Sequence, residues 1–120
     1  MLRKMRCLLI NPDVLPVEID LTECEINTYN RGLYHKMYTF VEGPFDAVIL
    51  GSLGGDGPDN RILYESGYSK SAGGILQGDF IITGLDSDGG YASLTQEQIV
   101  IYSRLYGKNS IREVRRACGL

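Results

Sequence analysis

Apolar and polar positions along this chain fall into short runs separated by Gly, Pro, Asn and Asp, and most of the runs have the length and alternation of strands. Residues 6–10 (Arg-Cys-Leu-Leu-Ile) form an apolar run that Asn11-Pro12 ends, as expected of a buried strand. From Pro16 to Asp20, Val17 and Ile19 alternate with Glu18 and Asp20, which predicts a half-exposed strand. Thr22-Glu23-Cys24-Glu25 then has the form of a helix capping box, with Leu21 and Ile26 spaced as its hydrophobic staple. The spacing predicts a helix of about two to three turns. It would carry Ile26, Tyr29 and Leu33 on one face and end near Gly32, although Asn27, Thr28 and Asn30 are poor helix formers.

Residues 35–41 are rich in aromatic and β-branched types, residues 45–50 form the next apolar run, and Gly43-Pro44 between them predicts an antiparallel pair. A glycine-rich loop is expected over 51–58, a short strand or turn over 60–64, and a polar loop over 65–74. Residues 79–85 are the clearest central strand. Asp86-Ser87-Asp88-Gly89-Gly90 turns the chain, and residues 91–93 pair back. Thr95-Gln96-Glu97-Gln98 is a second capping box, opening a helix with Ile99, Tyr102, Leu105 and Tyr106 inward that Gly107 ends. Ser110-Ile111-Arg112-Glu113 reads as a third, opening a terminal Arg-rich helix over 110–118 with Ile111, Val114 and Cys118 inward. This order predicts an α+β fold, a mixed or antiparallel sheet of about five strands with about two to three helices packed on it.

Composition adds bounds. At 120 residues the chain is expected to be a single domain over 1–120, and 43% hydrophobic with 22% charged residues is the mix of a packed globule. The net charge of −3 argues mildly against direct nucleic-acid binding, which needs concentrated positive charge. No apolar run reaches the ~20 residues that span a bilayer. The basic, then apolar residues 1–10 read as a first strand rather than a signal peptide, so cytoplasm is the expected location and no membrane partner is expected. Cys7, Cys24 and Cys118 are odd in number and widely spaced, which suits reduced thiols, and His35 is the sole histidine, so neither a disulfide framework nor a metal is expected.

The candidate chemistry is thin. The 51–58 loop, with Gly54 and Gly55, follows a strand as phosphate cradles do, yet lacks Gly-Lys-Ser/Thr and Gly-x-Gly-x-x-Gly, and Pro58 discourages a helix there. Asn60-Arg61 could grip a carboxylate or phosphate, or Arg61 could be a structural arginine tied to Asp59 or to loop carbonyls. Asp86-Ser87-Asp88-Gly89 begins like a calcium loop, but the later ligand positions fail and a hairpin turn explains the same residues. His35 has no Gly-x-Ser-x-Gly partner, so a hydrolase is least favoured. Tyr64, Tyr68 and Tyr91 lie near predicted loops and could stack on a base or form a protein interface, though such tyrosines more often half-bury at sheet edges. Arg104, Lys108, Arg112, Arg115 and Arg116 concentrate positive charge in the predicted C-terminal helices and could dock an acidic partner or nucleic acid, though dipole compensation alone accounts for Arg115 and Arg116.

Several segments in order resemble a family of short phage, plasmid and bacterial proteins known only as a domain of unknown function, often encoded among antirestriction and other mobile-element accessory genes. They are Leu8-Leu9-Ile10-Asn11-Pro12, Val17-Glu18-Ile19-Asp20, residues 45–50, Asn60-Arg61, residues 78–84 and Ser93-Leu94-Thr95-Gln96-Glu97-Gln98-Ile99. The resemblance covers about residues 6–106 and departs from the family around 21–34 and 65–74. It implies a biological setting and transfers no catalytic residue. The expectation is therefore a non-enzymatic accessory protein, without cofactor, that binds and inhibits a host defence component of anti-CRISPR or antirestriction type. The alternative is a sponge that sequesters a signalling nucleotide through the glycine-rich loop and Arg61. Self-association is compatible with either.

Overall fold

A computed structural model of the protein describes residues 3–30, 33–37, 47–53, 57–64 and 72–117. Its elements run β1 (Lys4–Ile10), β2 (Val17–Thr22), α1 (Glu23–Asn27), β3 (Leu33–Met37), β4 (Ala47–Leu53), β5 (Asp59–Tyr64), β6 (Ala72–Leu85), β7 (Tyr91–Ala92), α2 (Gln96–Leu105) and α3 (Lys108–Ala117). The strands form one seven-stranded sheet in the order β2-β1-β6-β4-β3, with β5 and β7 also paired to β6, and every pair is antiparallel. The α+β class and the antiparallel sheet agree with the sequence pattern. The strand count is seven rather than about five because β5 and β7 both form.

The spine is β6. Its 14 residues span about 45 Å at the usual strand rise. Residues 72–77 pair with β5, residues 80–82 with β1, and residues 84–85 with β7, while β4 runs along the other edge. Alternation along β6 and its neighbours creates two apolar faces. On one, Leu8, Ile10, Ile49, Leu76, Phe80 and Ile82 meet Ile99, Tyr102 and Tyr106 of the α2 segment. On the other, Met5, Cys7, Leu21, Val48, Leu50 and Ile81 meet Ile26 of α1. Both faces are apolar because both are covered, which is why 79–85 reads as a continuous hydrophobic run rather than an alternating one.

Two of the three capping boxes form. Thr22 N–H donates to Glu25 Oε1 at 3.0 Å and Glu25 N–H to Thr22 Oγ1 at 3.2 Å; Thr95 and Gln98 repeat the pattern at 2.8 and 3.1 Å. The Thr22 main-chain N–H and side chain hold the Glu25 carboxyl below its usual range. The first helix is shorter than its periodicity predicts. It stops at Asn27 with Thr28 as its C-cap, and Leu33 opens β3 instead of continuing the apolar face. The poor helix formers at 27, 28 and 30 decide that contest. The third capping box does not form. The terminal helix starts at Lys108, the Ile111 N–H donates to the Gly107 carbonyl at 3.1 Å, and Ser110 is buried inside the helix. Docking on β5 selects this earlier start over the local cap signal.

The glycine-rich stretch also differs from expectation: Gly51, Ser52 and Leu53 belong to β4, with Ser52 and Leu53 opposite Gln77 and Leu76, while residues 72–74 belong to β6. Gly54, Gly55, Tyr68, the Gly43-Pro44 turn and Cys118 lie outside the described residues. His35 sits in β3 opposite Ile49.

The two described cysteines differ sharply. Cys7 is fully buried on β1 whereas Cys24 is exposed on α1. Burial pushes the Cys7 thiol up, with a Thr83 hydrogen bond opposing and Asp20 reinforcing the shift. Iodoacetamide at neutral pH is expected to alkylate Cys24 in the folded protein and Cys7 only in denaturant. Peptide mapping by mass spectrometry checks this, and equal rates at the two sites would mean that the β1–β6 pairing opens readily.

Candidate functional site

The Asn60-Arg61 pair lies where the sheet changes partner. Along one edge of β6, β5 gives way to β1 at residues 77–80, leaving main-chain groups that neither strand can satisfy. Asn60, on β5, fills that gap. Its Nδ2 donates to the Ile10 carbonyl at 2.9 Å and to the Gly78 carbonyl at 2.8 Å, splicing the end of β1 to β6. Gly78 makes the splice possible: its φ of 71° is left-handed, its N–H reaches the Pro58 carbonyl at 2.8 Å, and a Cβ on Gly57 would stand 2.9 Å from its main chain.

Arg61 is fully buried beside it. Its Nε donates to the Tyr106 carbonyl at 3.2 Å, and Nη1 donates to Asn60 Oδ1 at 2.9 Å, to the Asn60 carbonyl at 3.2 Å and to the Asn11 carbonyl at 3.4 Å. Nη2 donates to the Val14 carbonyl. Tyr106 is the C-cap of α2, so the cation also meets the negative end of that helix. Burial pushes the guanidinium down from its ordinary value, opposed by the Asp13 carboxylate and Tyr106. An arginine starts so high that it stays charged. Of the two readings of Asn60-Arg61, the structural arginine tied to loop carbonyls is the one that forms, and the grip for a carboxylate or phosphate is corrected. Loop carbonyls and a side-chain amide occupy the guanidinium, and no face of it meets solvent. The nucleotide-sponge alternative loses its cation.

The same clamp shapes a neighbouring surface. After β1 the chain turns through Pro12 and Asp13, whose φ is 62°. Asp13 Oδ1 accepts from Arg115 Nε at 3.0 Å, while Arg61 holds the next carbonyl from below. The backbone of the turn is therefore held from below by Arg61, with an exposed ion pair from Arg115 to the Asp13 side chain above it, and its aliphatic side chains are displayed outward: Val14 is 48% exposed, Leu15 51% and, entering β2, Val17 48%. The available signal was the Val14-Leu15 pair directly after a Pro-Asp turn, where polar residues are usual.

The other candidate residues do not gather into one site. Arg112, Arg115 and Arg116 are exposed on α3, and Arg115 reaches Asp13 beyond the end of β1. Tyr91, on β7, packs against the cluster that contains Met5 at the start of β1, and its hydroxyl lies 3.3 Å from Asn27 Oδ1. Arginines and tyrosine are thus separated by the length of β1, about 20 Å. Tyr64 ends β5, with its side chain outside the described residues. The Asp86–Gly90 turn follows the last residue of β6, whereas Tyr64 stands opposite its first, Ala72, so the two lie at opposite ends of the long strand.

Near Tyr91 a cleft of about 330 Å³ is lined by Arg3, Met5, Thr22, Cys24 and Asp86 among others. One oxygen of the Asp86 carboxylate, Oδ1, is committed to the turn, accepting from the N–H groups of Asp88 at 2.9 Å and Gly90 at 2.8 Å, as a hairpin tie does. Among the described residues no group of three or more His, Cys, Asp or Glu side chains could hold a metal ion, and no helix is long and apolar enough to cross a membrane. No protein-family model, no curated protein and no solved structure matches the chain.

Proposed function

We propose that the chain is a non-enzymatic accessory protein of a phage or mobile element that acts in the host cytoplasm by binding and inhibiting a component of a restriction or CRISPR defence. The observation that carries the binding reading is the pinned turn: Val14, Leu15 and Val17 are each about half exposed on a segment whose Asn11 and Val14 carbonyls are held by the buried Arg61. An aliphatic group on a mobile loop loses entropy when it is captured, whereas one on a pinned turn has already lost it during folding. Contiguous exposed aliphatics of this kind are what a protein partner covers. The family resemblance over residues 6–106 supplies the biological setting.

Phage plating on a host with an active restriction or CRISPR system tests the reading. Expression of the chain is expected to raise plating efficiency, and Leu15→Glu to remove the gain. Burying a carboxylate at a contact centre weakens it by about 2 kcal/mol or more, roughly thirtyfold. The same substitution, at a half-exposed side chain, leaves unfolding within about 0.5 kcal/mol of the parent. Equal plating with and without the chain against both kinds of defence would end the reading.

A further inference from the structure

β2 is the outermost strand on its side of the sheet, and among the described strands it pairs with β1 alone. Which of its main-chain groups face outward follows from β1. Arg6 turns its N–H and carbonyl away from β2: the N–H donates to Ser93 Oγ at 3.0 Å and the carbonyl accepts from Leu94 N–H at 2.9 Å. Arg6 pairs with Asp20, so that pair exchanges no main-chain bonds, and antiparallel alternation makes Val17, Ile19 and Leu21 the positions bonded to β1. The N–H and C=O groups of Glu18 and Asp20 therefore point out of the open edge. Their carboxylates share a face with Arg6, at 3.8 and 3.5 Å, and their side chains are 48% and 53% exposed. On the opposite face stand Val17 and Ile19, exposed and partly buried respectively.

The geometry points to strand addition at this edge: β2 accepts an extended segment of a partner protein that alternates Lys or Arg with aliphatic residues. Residues of the incoming strand opposite Glu18 and Asp20 exchange main-chain bonds with them. Their side chains fall on the carboxylate face, where cations complete a ladder that begins at Arg6. Residues opposite Val17 and Ile19 fall on the aliphatic face and extend the layer of Leu9 and Ile19. A second copy of this chain is a poorer occupant. A two-fold axis through Ile19 would set Glu18 of one copy against Asp20 of the other, twice, with like charges directly opposed. The inference deepens the partner-binding reading and rests on it.

Titration of the ¹⁵N-labelled protein with a short, end-blocked peptide alternating Lys with Val tests it. Saturable binding is expected, with slowed hydrogen exchange at the Glu18 and Asp20 amides. A Glu18→Lys/Asp20→Lys variant should bind that peptide at least about tenfold more weakly and should instead take a peptide alternating Glu with Val. A Lys/Val peptide N-methylated at its Lys residues, whose N–H groups face β2, should not bind. The proposal is overturned by an absence of binding, by binding that leaves exchange at both amides unchanged, or by a dimer of the free protein that already protects them. Phage plating is scored in parallel, so the two readings fail separately. Raised plating with the peptide unbound overturns strand addition and leaves the accessory function standing. Amide protection with flat plating supports the strand site and overturns the defence target.

Discussion

Arg61→Met is expected to destabilise the fold by about 3–5 kcal/mol, a large share of the roughly 5–15 kcal/mol that holds a domain together. Methionine keeps most of the length and apolar contact of the side chain but donates nothing. The carbonyls of Asn11, Val14 and Tyr106 and the Asn60 amide oxygen would then lose the guanidinium at a buried position. Each orphaned buried acceptor costs on the order of 1–3 kcal/mol unless water reaches it. Arg61→Lys should fall between parent and Met variant, because an ammonium keeps the charge but cannot present the planar fork that reaches five separate acceptors. Urea unfolding with an unchanged denaturant slope is the measurement. A loss below about 1 kcal/mol for Arg61→Met would mean that the carbonyls find water, and the clamp would not hold the turn. The Asn60→Ala/Arg61→Met pair should be less than additive, since Asn60 Oδ1 and Arg61 Nη1 are bonded to one another at 2.9 Å.

Phe80→Ala should cost a similar amount, about 3–5 kcal/mol. Phe80 is fully buried on β6 and meets the Tyr106 ring edge-on, at 5.6 Å between centroids and 78° between planes. Strands on either side and α2 above leave little freedom for collapse into the space, so the cavity term is added to the transfer term. Gly51, on the neighbouring β4, gives a sharper check. A Cβ built there would lie 2.7 Å from the Phe80 Cβ, so Gly51→Ala is expected to destabilise by about 1–3 kcal/mol through overpacking. The nearest atom is one that alanine retains. Phe80→Ala therefore should not relieve Gly51→Ala, and a double variant more stable than Phe80→Ala alone would show that the two strands are free to shift.

Signals confined to a few neighbouring residues were legible without coordinates. Thr22 with Glu25 and Thr95 with Gln98 cap their helices as their three-residue spacing requires, because a side chain that reaches an amide three residues away needs no tertiary help. The Asp86–Gly90 turn, the β3–β4 pairing and the inward face of α2 followed from equally local patterns. Where a local signal competes with packing, packing decides. Ser110 has the right neighbours for a cap, yet it is buried within α3 because that helix docks on β5.

By itself the sequence determined the α+β class, the approximate positions of most strands, two helix starts and the failure of each enzyme signature tested against it. Only the tertiary structure decided what Asn60 and Arg61 do. A guanidinium that protrudes from a loop and one that is walled in by the carbonyls of Asn11, Val14 and Tyr106 read identically along the chain, since those partners stand 45 to 50 residues away. The same distant contacts fix the Val14-Leu15 turn, and the position of β1 between β2 and β6 leaves the outer groups of Glu18 and Asp20 open. Long-range hydrogen bonding and strand order, which no short window of sequence encodes, turned an apparent ligand grip into a buried brace and an ordinary alternating strand into the candidate binding edge.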